Sequence, residues 1–169
     1  MSTYHYLHRK IERVLKAFLA ENMEQSVNTH IWLEVTALGE ALAEPWIGIR
    51  CKSSESATPE VQLPLGAGNR NLSVELSIRS HAIPETSGTD PLSVITEWAT
   101  LHEALVGKVV DCFYRDDIIA ALNAKATETG AGVVVVQIDQ LSMSDELLER
   151  SGVTQVTIPL MCAPVEVTP

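Results

Sequence analysis

Aromatic residues are scarce in this chain: Phe, Trp and Tyr together make up 5% of its 169 residues. Its core must therefore be aliphatic, built from Val, Leu, Ile and Ala. Cysteine is scarcer still. Cys51, Cys112 and Cys162 are too few and too far apart for a disulfide framework or a zinc knuckle. Cys51 and Cys162 share the parity of the apolar residues around them, so buried free thiols and a reducing compartment are the expectation. No apolar run approaches the length that crosses a bilayer. The apolar patch from Val14 to Ala20 is interrupted by Lys16 and lacks a cleavage site, so neither membrane contact nor a secretory signal is expected. Positive charge is also short, with 12 Lys and Arg against 22 Asp and Glu and a net charge of −10. That balance excludes a chain whose whole surface coats DNA or an anionic membrane.

Reactive motifs are missing too. There is no Gly-x-Ser-x-Gly elbow, no Cys-x-x-Cys and no His-Glu-x-x-His. Gly66-Ala67-Gly68 looks like the start of a phosphate loop, but a strand rather than a helix follows it. Asp116 and Asp117 are adjacent on a helix start, where their charge favours the dipole and their side chains diverge. His102 is the one histidine near an apolar helical stripe, and it reads as a hydrogen-bonded structural residue. No catalytic, cofactor-binding or metal-ligating residues are assigned, and no enzymatic activity is expected.

What is present is pattern. Leu72-Ser73-Val74-Glu75-Leu76-Ser77-Ile78-Arg79 alternates apolar and polar residues without a slip. Such a period of two predicts a strand with one face in the core and the other wet, hence a mostly antiparallel sheet. Trp46–Cys51, residues 133–138 and residues 153–162 read as further strands, the last carrying Pro159 at an edge or bulge. Ile31, Leu33 and Val35 alternate like a strand as well. An amphipathic amino-terminal helix is predicted over residues 6–24. Asp90-Pro91 is the sharpest boundary, because Asp caps a helix start and Pro suits its first position. The helix it opens should run to about Phe113, burying Leu92, Ile95, Ala99, Leu105, Val106 and Val109. A shorter helix covers about 116–126 and ends near Gly130.

These elements predict a single α+β domain over residues 1–169, a mostly antiparallel sheet packed on one long helix. Two long loops remain, 52–70 and an acidic connector 139–152 with a helical turn near 145–150. Charge is divided between the ends. Residues 1–20 carry Arg9, Lys10, Arg13 and Lys16 against Glu12, a balance of +3, which leaves 8 basic and 21 acidic residues, or −13, elsewhere.

The segment Leu101-His102-Glu103-Ala104-Leu105-Val106-Gly107-Lys108-Val109-Val110-Asp111 comes before Ile118-Ile119-Ala120-Ala121-Leu122-Asn123. With the closing Val156-Thr157-Ile158-Pro159-Leu160, and in this order of elements, it resembles the tail-terminator and tail-completion proteins of long-tailed bacteriophages. The resemblance covers most of the chain through diffuse patterns, and loop 52–70 departs from the leanest form. It implies a structural virion protein forming a ring, a hexamer in that family, which caps the tail tube and joins tail to head. The implied partners are further copies of the chain, the tail tube protein and the head-tail connector, with DNA passing through unbound. Assembly would take place in the host cytoplasm. A ring needs unlike surfaces that fit each other, and the basic helix and acidic body are such a pair. The interface candidates are therefore Arg9, Arg13 and Lys16, the apolar loop residues Val61, Leu63 and Leu65, and the acidic Asp145, Glu146 and Glu149. Other neck or minor tail proteins share the outline. From a different class, a cytoplasmic ligand-binding protein or enzyme would use His102 and Asp116–Asp117.

Overall fold

Leu72, Val74, Leu76 and Ile78 all point into the core from β3 (Arg70–Arg79), as their alternation requires. The computed structural model describes residues 4–56, 68–83, 90–148 and 151–165. Around β3 stand β1 (Asn28–Ile31), β2 (Trp46–Ser56), β4 (Val133–Ile138), β5 (Ser142–Leu148) and β6 (Ser151–Pro164). They form one mixed sheet in the order β1-β2-β3-β6-β4, in which, among the described residues, only β1 and β2 run parallel. β6 is long enough to serve two neighbours on one side. Its first half pairs with β5 and its second half with β4. The helices are α1 (Tyr4–Asn22), α2 (Trp32–Leu38), α3 (Pro91–Phe113) and α4 (Ile118–Glu128). The molecule is thus α+β, and no helix among the described residues is long and apolar enough to cross a membrane.

The apolar face of the sheet is covered chiefly by α1 and α4. Leu7, Ile11, Val14, Leu15, Phe18 and Leu19 of α1 are buried, as are Ile118, Leu122 and Ala126 of α4. α3 was expected to carry the sheet, and here the structure differs. Its carboxy-terminal half joins the core through Val109 and Phe113, the latter ring lying 5.6 Å from Phe18. Ile95 and Leu92, by contrast, are 44% and 72% exposed. A sheet of this width has room for only so many helices, and α1 already occupies the place.

Five local expectations are also corrected. The outer face of β3 is not wet: Glu75 and Ser77 are buried, and Glu75 pairs with Lys52. The alternation at Ile31, Leu33 and Val35 breaks after Ile31, where the Glu34 carboxylate accepts the Ile31 N–H at 2.8 Å and starts α2. The helical turn expected near residues 145–150 does not form over 145–148, and residues 149–150 lie outside the described residues. β5 forms there instead, because the free side of β6 offers a ladder of hydrogen bonds. Loop 52–70 likewise shrinks as β2 runs on to Ser56, while residues 57–67 lie outside the described residues. Finally, Pro159 sits in a central strand. Its carbonyl accepts the Asp139 N–H at 2.9 Å, so its missing donor faces the break between β4 and β5, where no ladder bond is lost.

Candidate functional site

α3 begins where the sequence places it: Asp90 accepts the Leu92 N–H at 3.2 Å and Pro91 takes the first turn. From there the helix stands off the sheet and leaves a groove of about 500 Å³ between itself and the β5–β6 hairpin. Trp98, Ala99, Val106 and Val110 form one wall, and Met143 and Val153 the other. Glu103 and Asp145 stand exposed among the lining residues, which include no Lys or Arg.

A polar chain ties α3 to the sheet beside this groove. His102 Nδ1 lies 2.9 Å from Ser80 Oγ, and Nε2 lies 2.9 Å from Thr154 Oγ1. The Thr154 hydroxyl donates to the Asp145 carboxylate at 2.6 Å. Because its one hydrogen is committed there, Thr154 must accept from Nε2–H, and neutral His102 then accepts from Ser80 through Nδ1. Every member is satisfied. Burial holds the His102 pKa below its ordinary value, opposed by the charges of Asp145 and Glu103. The Trp98 ring stacks on His102 with centroids 5.1 Å apart and planes 7° from parallel, and its Nε1–H donates to the His81 carbonyl. Trp98 can lie this low only over a glycine. A Cβ at Gly152 would come within 2.4 Å of the indole.

The residues singled out from sequence are dispersed. Arg9 and Arg13 are exposed on α1, and neither forms an ion pair among the described residues. Lys16 instead pairs with Glu34 within the chain, at 2.7 Å. Asp145 is on β5 at the groove, and the backbone of Glu146 lies opposite Val153. Val61, Leu63, Leu65 and Glu149 lie outside the described residues. Asp117 pairs with Arg115 at 2.8 Å, and that hydrogen bond holds its pKa down. Among the described residues, no three His, Cys, Asp or Glu side chains converge as metal ligands would. No disulfide joins the cysteines; Cys162 is buried, which pushes its pKa up to about 12, whereas Cys51, also expected to be buried, is half-buried.

Sequence patterning missed Trp98, Met143, Gly152 and Thr154. Only the spacing of Trp98 and His102, one helical turn apart, hinted that the two rings would meet. Neither protein-family models nor curated protein sequences match this chain.

Proposed function

We propose that this chain is a structural virion protein, forming a ring that caps the tail tube of a long-tailed bacteriophage and joins the tail to the head. The resemblance in element order suggests the reading. The observation that carries it is the apolar surface left uncovered on the amino-terminal half of α3, where Leu92 and Ile95 are exposed one turn apart and an apolar groove opens beside Trp98, while the other end of the helix is in the core. Apolar surface of this kind marks a contact with another protein. The basic side of α1 supplies a second, unlike surface, as a closed ring of identical subunits requires. A tube of stacked rings keeps accepting subunits until a differently shaped ring occupies its end. The cap must fit the tube on one side and the head-tail connector on the other, while DNA passes through without specific binding. By family resemblance the ring is a hexamer, resident in the virion tail after assembly in the host cytoplasm.

Particles produced without the protein test this directly. Electron microscopy should show heads and tails that fail to join, with tails of uncontrolled length. Uniform tails attached to heads would overturn the reading.

A further inference from the structure

The two edges of the sheet carry unlike patches. At the β1 edge, the Lys16–Glu34 pair fastens α1 to α2, which sets Arg13 about one turn and Arg9 about two turns from the join. Leu33 and Leu38 of α2 lie beside it, 55% and 50% exposed. This patch is basic along α1 and apolar on α2. At the β5 edge lies the groove under α3, apolar within and bordered by the exposed carboxylates of Glu103 and Asp145. Strands β2, β3 and β6 separate the two edges, a distance of roughly 20 Å at the usual strand spacing.

We propose that α2 and the basic side of α1 of one copy dock into the α3–β5 groove of a second copy, with Arg9 and Arg13 facing Glu103 and Asp145. The proposal rests on the ring reading and names its subunit contact. Charge complementarity carries it first: Arg9 and Arg13, which form no ion pair among the described residues, stand beside exposed leucines on one patch, and anions border apolar walls on the other. Topology carries it second. Because the patches lie on opposite edges, each docking event leaves a free patch at one end and a free groove at the other. That is the head-to-tail contact from which rings close. A two-fold dimer formed across the groove alone would press acidic groove against acidic groove.

Charge reversal tests the contact in the purified full-length chain. Sedimentation velocity over a wide concentration range should show the wild type associating. R9E/R13E and E103K/D145K should each associate more weakly, by roughly tenfold or more. Mixing the two variants should restore assembly, since each then offers a patch that fits the other's groove. The defect of either alone should shrink as salt is raised. Asp145 also holds Thr154, so E103K alone, mixed with R9E/R13E, serves as the control for folding. Restored assembly in the mixture supports the contact. Variants that assemble like the wild type, a mixture that fails while circular dichroism shows both chains folded, or a wild type monomeric at every concentration would overturn it. Such a failure leaves the tail-capping reading standing, because that reading is judged on tails made without the protein.

Discussion

His102 shows what a single residue does here. Its ring joins a hydroxyl just past the end of β3 to one on β6, and its position on α3 next to apolar residues was readable from helical spacing. Its partners were not, because Ser80 and Thr154 lie 22 and 52 residues away in the chain. Removing the ring leaves both hydroxyls short of a partner in a buried place. His102→Ala should therefore lower stability by about 1–3 kcal/mol, measured by urea unfolding. The pH dependence has a definite sign. Burial lowers the folded-state pKa, so as pH falls the unfolded chain takes up this proton first. The stabilisation tied to neutral His102 is thus complete above the ordinary value of 6.5 and is lost as pH falls through the lower, folded value. His102→Ala should flatten that part of the stability profile. Parallel profiles for variant and wild type would contradict the assignment.

At the scale of elements, α3 was legible in its ends and not in its packing. Asp90-Pro91 announced the start and the apolar periodicity the length, because caps and periodicity are local properties of the chain. Which stripe would be buried depended on competition with α1, which local sequence does not encode. β5 is the converse case. Its residues looked like an acidic connector, and only the unpaired side of β6 made them a strand. The contact between α3 and β6 is set by one missing methyl group. Gly152→Ala would drive a Cβ into Trp98, and should cost about 1–3 kcal/mol as an overpacking substitution. In a Trp98→Ala background the same change should cost clearly less, a coupling that thermal unfolding of the four chains in the cycle would reveal. Equal costs in the two backgrounds would show that Trp98 does not rest on Gly152.

For the whole molecule, stability should be concentrated on the α1 side of the sheet. Leu76 is fully buried, whereas Ile95 is 44% exposed. Leu76→Ala should cost about 2–5 kcal/mol, and Ile95→Ala should stay within about 0.5 kcal/mol of wild type. Denaturant midpoints of the two variants check this. A large loss at Ile95 would mean that α3 is core after all.

The sequence by itself determined most of the elements and the class of the fold. Alternation in β3, periodicity in α1 and the Asp90 cap each act over a few residues, so the chain specifies them before any long-range contact forms. It also determined the split of charge between a basic first helix and an acidic remainder. Tertiary structure alone decided which helix covers the sheet, that residues 142–148 join β6, and that Lys16 is paired within the chain while Arg9 and Arg13 face solvent. It alone brought Trp98, Met143, Gly152 and Asp145 to one groove. Those outcomes depend on which distant surfaces compete for the same partner, and a competition between distant segments leaves no mark in local pattern.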